Sequence, residues 1–211
     1  MHDKTRLLLV DDHAVVREGY RRLLDARPDL AIVGEAGTAR EAFEQYRLHA
    51  PDVVVLDLGL PDIGGVELIR RLVQRDAGAR VLVFTMHREP IFANQALRAG
   101  ALGYVTKSSP PDELVAAVYR VAARRNVMSR DIAPEFAFAL LERSADPLAE
   151  LSPREFEILR LLLDGHSSED IGTRLSIAAK TVRNCHYQIK VKLGARSDIE
   201  LTRTAIRLGL I

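Results

Sequence analysis

Two adjacent carboxylates, Asp11 and Asp12, stand where the apolar run Leu7-Leu8-Leu9-Val10 stops. Side-by-side anions repel, and burying them without a counter-charge is costly, so either water solvates the pair or a cation sits between them. Three further apolar runs lead to a residue with chemical potential: Asp57 follows Val53 to Leu56, Thr85 follows Val81 to Phe84, and Lys107 comes just after Tyr104 and Val105. The set comprises three carboxylates, a hydroxyl and an ammonium. A hard cation such as Mg²⁺ takes oxygen ligands in near-octahedral geometry and keeps waters and phosphate oxygens in its shell, so these carboxylates plus a phosphoryl group would suit it. Lys107 would then neutralise one phosphoryl oxygen as a point charge, and Thr85 would donate its hydroxyl to another.

Residues so far apart in sequence meet only if the fold gathers them. The apolar runs at Leu7 to Val10, Ala31 to Val33, Val53 to Leu56, Val81 to Phe84 and Tyr104 to Val105 alternate with amphipathic segments at Val15 to Ala26, Thr38 to His49, Val66 to Gln74, Pro90 to Ala99 and Pro111 to Arg124. Five such βα units predict a doubly wound, flavodoxin-like parallel sheet of order 2-1-3-4-5, with helices on both faces and right-handed crossovers. Ligands of such sheets collect at the carboxyl ends of the strands, where the polar residues above fall. Pro61, Gly64 and Gly65 punctuate the turn after the third strand and keep it close to Asp57. His87, shortly after Thr85, reads as a solvated loop histidine.

Composition sets bounds on the rest. The chain has 211 residues, 47% of them hydrophobic, which is enough for two small domains. A formal net charge of +1 excludes a globally basic or acidic protein, so any nucleic-acid contact must come from a local patch. The one cysteine, Cys185, cannot form an intramolecular disulfide, and the apolar runs are of strand length. With Asp11 and Asp12 too early for a cleavable signal to precede them, the expectation is a cytoplasmic protein with no membrane partner.

Beyond Arg124 no further strand is expected. Residues 125–147 read as a linker, punctuated by Ser129, Pro134, Ser144, Asp146 and Pro147, with a short helix around Glu135 to Arg143. Residues 148–211 read as all helix. Ser152-Pro153-Arg154-Glu155 is a capping box with proline at the first helical position, and Gly165 ends that helix. A short helix from about Ser168 to Leu175, a tight turn at Ser176 and Ile177, and a longer helix from about Ala179 to Leu193 make a helix-turn-helix. A second capping box, Ser197 to Glu200, starts a fourth helix that runs to Leu208.

Between Ile171 and Ser197 the chain carries no acid, while Arg174, Lys180, Arg183, Lys190, Lys192 and Arg196 give a basic face. In the third helix Val182, Cys185, Ile189 and Leu193 recur at three- and four-residue spacings and should face the core. That leaves Lys180, Arg183, Asn184, Tyr187 and Gln188 outward, and the candidate DNA-contacting residues are Lys180, Thr181, Arg183, Asn184, Tyr187 and Lys192. Arg and Asn suit bidentate contacts to guanine and adenine edges, and Lys suits phosphate.

Asp11-Asp12, Asp57 with "DLGLPDIGG" around it, Thr85 and Lys107 resemble the receiver domain of two-component response regulators over about residues 1–124. The resemblance implies that Asp57 accepts a phosphoryl group from a sensor histidine kinase. It further implies that Asp11, Asp12, Asp57 and the backbone carbonyl of Gly59 bind Mg²⁺, and that Tyr104 is an aromatic switch responding to Thr85. The string from Leu151 to Asp198 resembles the LuxR-type DNA-binding domain. Joined to a receiver, it makes the chain similar to NarL/FixJ-type regulators, with an ending "ELTRTAIRLGLI" like the GacA branch. That resemblance implies a cytoplasmic transcription factor that binds double-stranded promoter DNA as a homodimer upon phosphorylation, through a dimer contact on the last helix.

Two residues depart from the LuxR-type pattern. Ala178 stands where a capping Ser is usual, a loss of about 0.5–2 kcal/mol if nothing replaces it. Cys185 stands where His or Tyr is common. Two other classes share part of the pattern: an aspartyl-phosphate hydrolase would need D-x-D-x-T after the first strand, which Asp11-Asp12-His13 does not supply, and a ligand-sensing LuxR-type regulator would lack the acidic strand ends.

Overall fold

Short runs rich in Val and Leu, bounded by turn residues, favour strands whose two faces are both covered. In the structure, a computed structural model that describes residues 4–141, 147–208 and 210, they become β1 (Thr5–Val10), β2 (Leu30–Ala36), β3 (Val53–Leu56), β4 (Val81–Thr85) and β5 (Gly103–Thr106). Helices α1 (Ala14–Asp25), α2 (Ala39–His49), α3 (Gly65–Arg75), α4 (Pro90–Ala99) and α5 (Pro111–Ala122) follow them in turn. All pairings are parallel, and the order β2-β1-β3-β4-β5 is the one the sequence predicts. Leu7, Leu9, Val53, Val55, Leu82, Phe84 and Val105 fill the layer against α5, where Leu114, Val118 and Val121 close it.

The sheet has one strand more than expected. Val127–Met128 forms β6 beside β5, with Val127 opposite Gly103 and Met128 opposite Tyr104, so the segment after Arg124 is part of the sheet edge and not simply a tether. Two half-buried residues carry too little hydrophobic pattern to announce a strand, and this one is held by the free edge of β5. Helix α6 (Ala133–Leu141) follows, and the remainder of the expected linker helix, to Arg143, lies outside the described residues, as do Ser144 and Asp146.

The chain divides into two compact units, Met1–Ala137 and Phe138–Ile211. After a 3-10 turn at Pro147–Glu150, the second unit holds α7 (Pro153–Leu163), α8 (Ser168–Leu175), α9 (Ala179–Lys192) and α10 (Asp198–Arg207). The Ser152/Glu155 capping box forms, and a second box, Ser167/Asp170, opens α8. Ser197 caps α10, but Glu200 turns to the backbone N–H of Arg196 at 2.7 Å, so the expected reciprocal box is only half made. A Cβ on Gly172 would lie 2.8 Å from the Ile177 carbonyl, so only glycine lets α8 approach the turn this closely. Among the described residues no helix is long and apolar enough to cross a membrane.

Candidate phosphoacceptor site and nucleic-acid interface

The parallel register carries the ends of β1 and β3 to one edge. The backbone N–H of Asp57 donates to the Val10 carbonyl at 2.8 Å, and that of Asp11 to Ala36 at 3.0 Å, so both aspartates emerge side by side. Lys107 arrives from beyond β5, its N–H donating to the Thr85 carbonyl at 2.7 Å. Its Nζ lies 2.7 Å from Asp11 Oδ2 and 2.5 Å from Asp57 Oδ2, and all three side chains are under one-tenth exposed. Burial is the largest influence on the ammonium and pushes its pKa down. The hydrogen bonds and charges of Asp11 and Asp57 outweigh it, holding Lys107 above the ordinary lysine value and therefore cationic.

Asp12 is more exposed and pairs with His13, whose Nδ1 is 2.7 Å from Asp12 Oδ1. One ligand atom from each of Asp11, Asp12, His13 and Asp57 falls within 4.8 Å of the others. Three carboxylates against one ammonium leave an excess of negative charge, and the donors are hard oxygens, so the group fits Mg²⁺ without calling on the histidine nitrogen. Gly59 donates its N–H to Asp57 Oδ1 at 3.4 Å. A Cβ on Gly65 would sit 2.7 Å from the backbone oxygen of Asp57, so the glycine lets α3 begin directly against Asp57.

Thr85 is buried, with Oγ1 accepting from the His87 N–H at 3.4 Å. Tyr104 is fully buried, and its hydroxyl donates to the His87 carbonyl at 3.1 Å. Burial, followed by the charges of Glu89 and Asp57, pushes the Tyr104 phenol far above its ordinary value, so it remains a donor. His87, expected as a solvated loop residue, instead has its backbone held by both Thr85 and Tyr104 while its ring stacks on Phe92 at 4.0 Å.

Several contributors carry no local sequence signal. Arg17 reaches the Asp11 carbonyl at 2.6 Å and pairs with Glu35 at 3.0 Å. Asp62, inside the turn after β3, accepts the N–H groups of Ala39 and Arg40 at 2.9 Å each and ties that turn to the start of α2. His13 was readable only as a neighbour of the aspartates.

In the second unit Val182 and Ile189 are fully buried, Leu193 nearly so and Cys185 half so, which turns Lys180, Thr181, Arg183, Asn184, Tyr187 and Gln188 to the surface. Ala178 at the N-cap offers no side-chain hydrogen bond to α9. Lys192 has a partner inside the unit: Nζ lies 2.7 and 2.8 Å from the Glu155 carboxylate oxygens and 3.2 Å from the Glu150 carbonyl. Charge alone places this lysine in the basic set, and the pairing with Glu155 comes from a helix distant in sequence. Arg183 pairs with Glu169 on α8 at 2.8 Å, and Lys190 with Asp198 at 2.9 Å.

Comparison with known proteins agrees with both halves. Residues 7–119 match the response regulator receiver domain, and residues 149–205 match the bacterial regulatory proteins of the luxR family. Response regulator UvrY of Escherichia coli K12 is 36% identical over 97% of this chain and 94% of its own length. Response regulator GacA of Pseudomonas aeruginosa is 34% identical over 98% of this chain and 97% of its own. Among solved structures, a LuxR-family two-component response regulator from Aurantimonas sp. SI85-9A1 superposes with a TM-score of 0.64 at 52% identity, covering 66% of this chain and 99% of that one. With a receiver and a LuxR-type helix-turn-helix in one chain, and relatives alike over nearly their whole length, the protein belongs to the two-component response regulators of the NarL/FixJ type, GacA-like branch.

Proposed function

We propose that Asp57 is the phosphoacceptor through which a sensor histidine kinase controls this DNA-binding transcriptional regulator. The observation that carries the reading is the Lys107 ammonium lodged between the Asp11 and Asp57 carboxylates. An aspartate carboxylate is ionised at neutral pH, so attack on phosphorus needs no general base, and catalysis reduces to positioning and charge neutralisation. A bond forms between an Asp57 oxygen and phosphorus while the bond from phosphorus to the donor's imidazole nitrogen breaks. Negative charge then moves from the carboxylate to the phosphoryl oxygens, where Lys107 meets it. Thr85 donates its hydroxyl to one of those oxygens. Any movement of Thr85 is felt at His87 and hence at the Tyr104 hydroxyl, since all three share one hydrogen-bonded loop.

Asp11, Asp12, Asp57 and the Gly59 carbonyl would hold Mg²⁺, which supplies further neutralisation of the phosphoryl oxygens. Lys180, Thr181, Arg183, Asn184 and Tyr187 would meet promoter DNA. Lys192 drops from this set because Glu155 holds it. The dimer contact falls on α10, where Ile199 and Ile206, one heptad apart, are both well exposed. Residues 1–124 would form the receiver and 148–211 the DNA-binding domain of a cytoplasmic protein.

Incubation with acetyl phosphate and Mg²⁺ should label the intact chain at an acid-stable, base-labile position. Asp57→Asn keeps the shape, removes the anionic nucleophile and should take no label. A folded Asp57→Asn chain labelled like the wild type in the same domain would show that the acceptor lies elsewhere.

A further inference from the structure

The loop that carries Lys107 is held from an unexpected direction. Asp131, between β6 and α6, accepts the Thr106 hydroxyl at 2.5 Å and the Ser108 hydroxyl at 3.2 Å on Oδ2, and the Ser109 hydroxyl at 3.3 Å on Oδ1. Thr106 and Ser108 are the two chain neighbours of Lys107, and the three hydroxyls are also linked among themselves. The same carboxylate lies 3.9 Å from Arg88 Nη2, in the loop that contains His87. One side chain thus touches both loops that follow β4 and β5.

The backbone around Asp131 is fixed as firmly. Ser129 is fully buried, donates its N–H to the Tyr104 carbonyl at 2.9 Å, and accepts the Thr106 N–H on its hydroxyl at 3.4 Å. Arg130 donates its N–H to Glu113 at 2.9 Å, and Ile132 is buried. A carboxylate fixed on such a platform can set the position of the loop it binds. A free surface aspartate cannot, because its hydrogen bonds are exchanged with water.

We infer that Asp131 is a positioning residue for Lys107, clamping the loop on either side of the lysine, so that the segment leading into α6 takes part in the geometry of phosphoryl transfer. This rests on the role of Lys107 given above. The lysine must place one ammonium against two carboxylates and then follow charge onto the phosphoryl group, which demands a fixed backbone anchor. Thr106 and Ser108 are that anchor, and Asp131 binds both.

The test measures phosphoryl uptake by the full-length chain from acetyl phosphate with Mg²⁺. Asp131→Ala should slow uptake at saturating donor by about 10-fold, in the range that orienting partners of a reactive group contribute, while the half-saturating donor concentration changes little. Asp131→Asn keeps an acceptor oxygen and should recover part of the rate. In the Lys107→Ala background Asp131→Ala should add almost nothing, because its effect passes through the lysine. A wild-type rate in folded Asp131→Ala, or an undiminished effect in the Lys107→Ala background, would overturn the inference. Should Asp131→Ala not fold, the double substitution Ser108→Ala and Ser109→Ala decides, with a slowed rate expected and a wild-type rate contrary. A Lys107→Ala chain with wild-type uptake would instead remove the underlying reading of Lys107, so the two failures are told apart.

Discussion

Lys192 at the end of α9 and Glu155 at the start of α7 are joined through both carboxylate oxygens, at 2.7 and 2.8 Å, and the same carboxylate accepts the Ser152 N–H at 2.8 Å. One acid therefore caps a helix and fastens a second helix to it. A lysine so held fastens α9 to α7. Lys192→Ala should lower stability by about 1–2 kcal/mol, reduced from a fully buried charge-assisted bond because the lysine is partly exposed. The slope of log affinity against log salt should remain close to that of the wild type, where loss of a true phosphate contact changes it by about 0.9. Thermal unfolding and a salt titration on one duplex, taken together, check this; an unchanged melt with a reduced slope would return Lys192 to the DNA face.

The same carboxylate gives a pH dependence whose sign can be stated. Burial, the largest influence, pushes the Glu155 pKa up, but the hydrogen bonds from Lys192 and Ser152 outweigh it and hold it below its ordinary value of 4.5. A depressed acid stabilises the fold fully above its unfolded value and loses that contribution as pH falls through the folded one. Stability should thus fall below about pH 4.5, and Glu155→Gln should make that fall shallower while lowering stability at pH 7. Melting curves from pH 3 to 7 would show it, and parallel pH profiles would contradict it.

How far the sequence reveals this molecule depends on how local each cause is. The strand-end residues Asp11, Asp57, Thr85 and Lys107 were legible because each follows a continuous apolar run, and a parallel sheet aligns the ends of its strands. Val127 and Met128 were not legible as a strand, since two residues show no periodicity and the edge of β5 recruits them. Asp131 carries no local signal within residues 125–147, because its three hydroxyl partners lie 22 to 25 positions away. Lys192 enters the basic set on charge alone, and its partner Glu155, 37 positions away on another helix, leaves no local signal.

Gly65 offers a sharper test of the acceptor loop. An added methyl would meet the Asp57 backbone oxygen and Leu58 Cα at 2.7 Å each, with no flexible side-chain end to give way. Gly65→Ala should therefore destabilise the receiver by about 1–3 kcal/mol, as overpacking generally does, and displace Asp57 from Lys107. Denaturant unfolding measures the first effect and acetyl phosphate labelling the second. A substituted chain with wild-type stability would mean that α3 can move away from the acceptor without cost.

The last prediction separates base reading from charge on α9. Arg183 is exposed and paired at 2.8 Å with Glu169, an acid that would stand beside the phosphates if α9 entered the major groove. Such an acid repels the backbone wherever the protein lands, but it also holds the guanidinium in one orientation. Arg183→Ala should thus lose discrimination at one base pair by about 1–3 kcal/mol, the worth of a good bidentate contact. Glu169→Gln should act in the opposite sense on non-specific DNA: one anion fewer near the backbone strengthens binding and steepens its salt dependence, while an unanchored Arg183 reads its base less strictly. Specific and mismatched duplexes titrated at two salt concentrations with both variants resolve the terms. If Glu169→Gln leaves the specific-to-non-specific ratio unchanged, Glu169 does not orient Arg183, and the pair is an ordinary surface contact.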